Sequence, residues 1–277
     1  MTTPAEPAKP IQPAASVVIL RDGKTRDGKT RDSTSGLEVF MLERHQGTGQ
    51  SFAGAFVFPG GKVDAEDAAP VWSSLAAPTP EVPNRSFWIA AVRETFEEAG
   101  LLLARAAGSA TLAGAEQAKR MVAAERGQPR QGQSARFVAA IEREKLLLAT
   151  DHMIHFGHWI TPAWAPKRFD THFFLTAAPL EQRQNFDRDE SAEGLWIRPS
   201  DALQQAHAGK RTLVAVTRCT LELLATWSSV AAATEAARKR RVVTVQPYMA
   251  ETPNGRVLRI PVEAGYVRSE LPVPAKG

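Results

Sequence analysis

The sequence has almost no cysteine: Cys219 is alone among 277 residues. An internal disulfide framework is therefore excluded, and Cys219 reads as a small core residue in a reducing compartment. Long apolar runs are also missing. No stretch approaches the roughly 18 apolar residues of a membrane span, and the best candidate, Leu213 to Val230, is broken by Arg218 and Glu222. The opening MTTPAEPAKPIQPAA is rich in Pro and Ala and carries Glu6. It lacks the continuous apolar segment of a secretory signal and reads as a disordered tail. Charge of one sign is scarce too, since a net +4 is spread over mixed acids and bases. Such a surface attracts phosphate-bearing partners only weakly. The expectation is a soluble, cytoplasmic protein with no membrane partner.

What is present suffices for one large core, because 43% of the residues are hydrophobic and a chain of this length buries most of its apolar surface. The expected organisation is a Pro/Ala-rich tail at 1–14, a single elaborated domain at 15–265 and a flexible C-terminal tail at 266–277. Within it, Ser16 to Leu20 and Leu37 to Leu42 read as strands able to pair as a hairpin. The tandem RDGKT repeat between them, Arg21 to Thr30, reads as a lengthened loop. Phe56-Val57-Phe58 is a strand running into a Pro59-Gly60-Gly61 turn, and Ala68 to Ser86 reads as irregular. A helix follows from Phe87, closed by Gly100 as its left-handed cap. Further helices are expected at Ala113 to Arg126 and at Ser134 to Ala149, the latter capped by Ser134. Strands are expected at His158 to Ile160, Thr171 to Thr176 and Leu195 to Ile197. A short helix should then run from Pro199 to near Gly209, and a longer one from Leu213 to Ser229. Two final strands, Val242 to Val245 and Val257 to Val262, would be joined through Asn254-Gly255. Interleaved strands and helices define an α/β or α+β layered fold.

The stretch Ala90 to Gly100, AAVRETFEEAG, carries the chemistry. Glu94, Glu97 and Glu98 are related by three- and four-residue steps, so they share one helix face. Ile89, Val92, Phe96 and Ala99 occupy the opposite arc and bind the helix to a core. Arg93 can pair with Glu97 one turn on. Taken alone, the face can be a solvated acidic surface. Beside the glycine turn at Phe58 to Gly61, which can offer backbone carbonyls, it can equally be a cage for a hard divalent cation, which prefers oxygen ligands.

The pattern Gly60-Gly61-Lys62-Val63-Asp64 followed by Arg93-Glu94-Thr95-Phe96-Glu97-Glu98-Ala99-Gly100-Leu101 resembles the signature of the Nudix hydrolases, in the branch related to the peroxisomal acyl-coenzyme A diphosphatases. Asp67 stands where that signature has a glutamate, 25 residues separate it from Arg93, and Thr95 replaces a bulky aliphatic residue. Phe156 to Pro162 and Arg168 to Thr171 are similar to the same branch. The coenzyme A signature before Phe58 is partial: Gly54 fits, Gln50 replaces an arginine and Arg44 is one residue out of step.

The resemblance implies an α/β/α sandwich with a mixed sheet and inserted helices. It implies Mg²⁺ or Mn²⁺ held by Glu94, Glu97, Glu98 and the Gly60 carbonyl, with Arg93 orienting Glu97. Glu97, Glu98, Arg93 and Glu193 form the catalytic set, where Glu193, or Glu190 in the same loop, supplies a further ligand or base. Arg44, Gly61, Arg168 and His172 are the substrate-binding candidates. The implied reaction is hydrolysis of a nucleotide conjugate at its diphosphate, foremost coenzyme A or acyl-coenzyme A, giving 3′,5′-ADP and (acyl-)4′-phosphopantetheine. ADP-ribose, NADH or RNA ends are alternative substrates, and a non-catalytic nucleotide sensor is an alternative role. A homodimer is compatible with this reading. His155, His158 and His172 read as structural histidines in aromatic surroundings. Arg238-Lys239-Arg240-Arg241 reads as a helix end facing water, with no nucleic-acid module beside it.

Overall fold

A computed structural model describes residues 10–23, 36–44, 54–125, 128–129, 131–179, 181–182, 191–253 and 255–273, with the backbone alone at 191–193. In chain order the strands and helices are β1 (Ile11–Asp22), β2 (Leu37–Arg44), β3 (Phe56–Val57), β4 (Gly60–Lys62), α1 (Trp72–Leu75), α2 (Arg85–Ala99), β5 (Ala104–Ala106), α3 (Ala115–Glu125), α4 (Gln133–Arg143), β6 (Leu146–Leu148), β7 (Ile154–Ile160), β8 (Arg168–Ala177), β9 (Ser191–Ile197), α5 (Pro199–His207), α6 (Ala215–Leu224), α7 (Val230–Lys239), β10 (Thr244–Val245), β11 (Tyr248–Thr252), β12 (Gly255–Arg259) and β13 (Glu270–Pro272). An eight-stranded mixed sheet runs β10-β7-β8-β1-β2-β3, with β4 added to β1 and β9 to β2.

The central strand explains the position of the site. On one edge, β1 pairs in parallel with β8 over its length, from Ile11↔Arg168 to Leu20↔Ala177. Its other edge is divided: Ala14 to Ser16 pair with β4, and Leu20 to Asp22 pair with β2. The sheet opens between these two partners. Both faces of β1 are buried, which is why SVVIL reads as continuous apolar sequence. Ala15, Val17 and Ile19 join a core with α2, α3 and α4, while Val18 and Leu20 join a second core with α5, α6 and α7. The result is the expected α+β sandwich with a mixed sheet and inserted helices.

Several expectations are corrected. β1 begins at Ile11, so the structured chain starts before residue 15, because residues 11 to 14 complete the parallel ladder to β8. The assigned tail from 266 contains β13, whose Leu271 is buried against β12 and the second core. Gly60 and Gly61 are not a turn but a strand, since β4 must approach β1 closely: a Cβ on Gly60 would lie 2.3 Å from the Ala15 carbonyl oxygen. The helix after Ser134 ends at Arg143. Lys145 turns the chain with φ 53°, and Leu146–Leu148 pairs with β5 instead of extending the helix. Ser134 lies inside α4, where its hydroxyl donates to Asp64 Oδ2 (2.7 Å). The two C-terminal runs do not pair with each other: β10 joins β7, whereas β12 lies between β11 and β13. The helix expected at Leu213 to Ser229 covers only Ala215–Leu224, and a separate α7 begins at Val230 with Ser229 as cap.

Other expectations hold. β1 and β2 form the hairpin, and Gly100 caps α2 in the left-handed region with φ 65°. Cys219 is buried in the second core, and that burial pushes its thiol up to about 12. The basic run is tied down locally, with Lys239 paired to Glu235 (2.8 Å) and Arg240 donating to the Gly265 carbonyl (3.0 Å). Most of the RDGKT repeat, Asn254 and residues 1–9 and 274–277 lie outside the described residues.

Thr95 is fully buried in α2, and its hydroxyl has no hydrogen-bond partner among the described residues. An unpaired buried hydroxyl costs about 1–3 kcal/mol. Thr95→Val, which keeps the shape and removes that group, is expected to raise stability by about 1 kcal/mol in urea denaturation.

Candidate active site

Helix α2 is capped by Asn84, whose Oδ1 accepts from the Ser86 N–H (3.2 Å). Its apolar arc of Ile89, Val92, Phe96 and Ala99 is buried in the first core. This docking directs Glu94 and Glu98 onto β4, with Glu97 beside them on the same helix face.

Arg93 organises the cluster and is itself only 2% exposed. Its Nε and Nη2 donate to the two oxygens of Asp67 (2.9 and 2.8 Å). Its Nη1 donates to Glu94 Oε1 and to Glu97 Oε2, each at 2.9 Å, and Nη2 also reaches the Lys62 carbonyl (2.9 Å). The fork therefore fixes α2, the Asp67 turn and the end of β4 together. Burial opposes the Arg93 cation, but Asp67, Glu94 and Glu97 more than reverse that effect and raise its pKa. The Arg93–Glu97 pairing expected from sequence is present. Asp67, in sequence only a departure from the signature, is the most buried partner of Arg93.

Glu98 is held differently. Its Oε2 accepts from the Gly60 N–H (2.7 Å), and its Oε1 lies 3.5 Å from Arg44 Nη2. Arg44 Nη2 also lies 3.4 Å from the Gly60 carbonyl. Gly60 thus meets the cluster through both its N–H and its C=O. Gly61 lies under Glu94, and a Cβ there would come within 2.4 Å of the Glu94 carboxylate carbon.

The electrostatic balance is unfavourable without a further cation. Arg93 and Arg44 face Asp67, Glu94, Glu97 and Glu98, so the carboxylates outnumber the cations. Burial pushes Glu97 up to about 8, and burial together with the Glu94 charge does the same for Glu98. Glu94 is raised as well, chiefly by burial. Glu97 Oε1 is buried and unpartnered among the described residues. Unpaired oxygen, raised carboxylates and an adjacent backbone carbonyl are the donor set of Mg²⁺ or Mn²⁺, so the residues present fit such an ion.

This arrangement sets a pH dependence. A carboxyl whose folded pKa is about 8 and whose unfolded value is near 4.5 stabilises the fold below pH 4.5, and that contribution is lost as pH rises towards 8. The metal-free protein is therefore expected to melt at a lower temperature at pH 8 than at pH 6, by roughly 2–4 °C for each kcal/mol lost. A divalent cation should raise Tm more at pH 8, because its ligands are then already deprotonated. Differential scanning fluorimetry at both pH values, with EDTA or Mn²⁺, checks this.

The other candidates are distributed around the cluster. Glu193 lies on β9 opposite Glu43, the neighbour of Arg44; its side chain, and the whole of Asp189 and Glu190, lie outside the described residues. Arg168 and His172 are on β8, across β1 from β4. His172 is opposite Ala15, which in turn is opposite Gly61, so two strand spacings place them about 10 Å apart. Arg168 is not gathered into the carboxylate cluster, and its Nε donates to the Thr161 carbonyl (3.2 Å). His172 Nδ1 is 2.9 Å from His155 Nε2. Burial, with His158 nearby, pushes His155 down to about 4 and His172 down to about 3.

Helix α2 thus sets Glu94, Glu97 and Glu98, all largely withdrawn from solvent, beside the opening of a mixed sheet, an all-oxygen donor set whose chemistry suits a hard cation. The model of the NUDT19 Nudix domain matches residues 81–216, a span containing Arg93 to Glu98 and beginning after Gly61. A putative nudix hydrolase 7 of Caenorhabditis elegans is 32% identical over 175 residues, covering 63% of this chain and 51% of that protein. The acyl-coenzyme A diphosphatase NUDT19 of Gallus gallus is 30% identical over 239 residues, covering 69% of this chain and 62% of that protein. The chain therefore spans about half to three-fifths of the length of these curated relatives. The crystal structure of a NUDIX hydrolase from Alicyclobacillus acidocaldarius superposes with a TM-score of 0.63 at 23% identity, covering 82% of this chain and 96% of that one; this likeness bears on the fold. Over residues 81–216 the chain matches the Nudix hydrolases in sequence, and its fold is that of a Nudix hydrolase.

Proposed function

We propose that the protein is a divalent-cation-dependent hydrolase of the diphosphate in coenzyme A or acyl-coenzyme A, releasing 3′,5′-ADP and (acyl-)4′-phosphopantetheine. The observation that carries the reading is the clustering of three glutamates on one helix face, Glu98 bonded to the Gly60 N–H, Glu94 over Gly61 and Glu97 held by Arg93 with its Oε1 unpartnered among the described residues. Bound there, Mg²⁺ or Mn²⁺ would neutralise charge on the diphosphate and acidify a water molecule.

The chain's own residues supply the rest. Glu94, Glu97, Glu98 and the Gly60 carbonyl would hold the ion. Arg93 fixes the rotamers of Glu94 and Glu97 through Nη1, and Asp67 fixes Arg93 in turn. Arg44, which already reaches Gly60 and Glu98, is placed to meet substrate phosphate at the rim. Glu193, on the strand beside β2, is the candidate base, and Gly61 keeps the floor beneath Glu94 free of a side chain. The choice of coenzyme A conjugates over other nucleotide diphosphates rests on the Gallus gallus relative and on the similarity at Phe156 to Pro162 and Arg168 to Thr171. No helix among the described residues is long and apolar enough to cross a membrane.

The test incubates the protein and Mg²⁺ with coenzyme A, an acyl-coenzyme A, ADP-ribose, NADH and capped RNA, and identifies products by mass. Release of 3′,5′-ADP is expected. Preferential cleavage of ADP-ribose, NADH or capped RNA reassigns the substrate, and tight binding with no product from any member identifies a sensor.

A further inference from the structure

A second group of ligating side chains lies on the same face of the sheet, outside the carboxylate cluster. His158 on β7 is directly opposite His172 on β8, and Asp170 is two residues along the same strand. Their rings stack with centroids 4.1 Å apart and planes 5° from parallel. One ligand atom from each of His158, Asp170 and His172 falls within 4.8 Å of the others. Phe87, in the first turn of α2, packs edge-on against His172 at 4.4 Å and closes the group on one side. Asp170 is 35% exposed, so the group remains open to solvent through the carboxylate.

The outer hydrogen bonds are the informative ones. His158 Nδ1 is 2.8 Å from Thr244 Oγ1, and His172 Nδ1 is 2.9 Å from His155 Nε2. Thr244 and His155 can each accept an Nδ1–H, the tautomers that leave both Nε2 lone pairs free. Metal-bound histidines are oriented in this way, by a partner on the nitrogen that does not bind. His158 Nε2 and Asp170 Oδ1 lie 2.5 Å apart, a hydrogen bond whose place a cation would take.

We propose that His158, Asp170 and His172 form a second cation site, selective for a borderline ion such as Zn²⁺ and separate from the glutamate site. Two imidazoles and one carboxylate favour Zn²⁺, Co²⁺ or Ni²⁺, whereas the all-oxygen glutamate set favours Mg²⁺ and Mn²⁺. With an ion on Nε2, the His158 proton would sit on Nδ1 and be donated as a hydrogen bond to Thr244 Oγ1. The site does not depend on the substrate assigned above.

The test is Zn²⁺ binding to the full chain in excess Mg²⁺, by isothermal titration, with the fold of each variant checked by circular dichroism. One Zn²⁺ per chain is expected. Affinity should fall at least about tenfold in His158→Gln and in Asp170→Asn, and about tenfold in the outer-shell variant Thr244→Val, while Glu97→Gln retains it. Long-range ¹H–¹⁵N spectra should show the His158 and His172 Nε2 resonances moving on Zn²⁺ addition even if a variant fails to fold. Absence of Zn²⁺ binding in Mg²⁺ overturns the proposal. So does binding that survives His158→Gln and Asp170→Asn but disappears in Glu97→Gln.

Discussion

Glu97→Gln, and separately Glu98→Gln, should lower turnover at least about a thousandfold, or roughly 4 kcal/mol of transition-state stabilisation, with the fold intact. The two halves of this expectation have one origin. In the metal-free protein each carboxyl is pushed up to about 8 by burial, so near neutral pH the glutamates already spend much of their time protonated. A neutral glutamine then costs the fold little. What it removes is the anionic ligand that must form when a cation binds. Steady-state kinetics in saturating Mg²⁺, with thermal melts of the same samples, separate the effects. Near-normal kcat in both purified variants would remove the carboxylate cluster from the chemistry.

Arg93→Ala should behave in the opposite way, damaging stability as well as rate. Removal of the guanidinium leaves Asp67, 1% exposed, without its bidentate partner and deprives Glu94 and Glu97 of their shared donor. Breaking a buried pair from one side costs about 3–5 kcal/mol. Urea denaturation should show the midpoint falling with little change in slope. Arg93→Lys should recover only part of the loss, because an ammonium group cannot span Asp67, Glu94, Glu97 and the Lys62 carbonyl together. Asp67→Asn in the Arg93→Ala background should cost less than it does alone, a coupling measurable by a double-mutant cycle. Additive losses would show that the pair does not act as a unit.

The contrast between these variants reflects what the sequence made legible. Helix α2 could be read because its apolar arc, its charged arc and its Gly100 cap all obey one 3.6-residue period. The Arg93–Glu97 contact follows from that period alone. Asp67 does not, because its role depends on how the segment before α2 folds back over 25 residues, and no local rule determines such a return. Gly60 and Gly61 looked like a turn for a related reason: glycine signals conformational freedom, but here it is required by the close approach to Ala15 and Ser16 and by the Glu94 carboxylate above. Leu146–Leu148 is a short apolar run that a helix or a strand can accommodate equally, and pairing with β5 decides it. The His158, Asp170 and His172 group was hidden because cross-strand register, not sequence spacing, brings it together.

The central claim is that the glutamates of α2 hold the divalent ion on which diphosphate cleavage depends. The most direct measurement titrates metal-free protein with Mn²⁺, following the free ion by electron paramagnetic resonance and acyl-coenzyme A cleavage in the same samples. Turnover is expected to rise in step with bound Mn²⁺, and the occupancy coupled to turnover to be lost in Glu97→Gln and Glu98→Gln. Undiminished cleavage by those variants, or turnover in the metal-free protein, would contradict it.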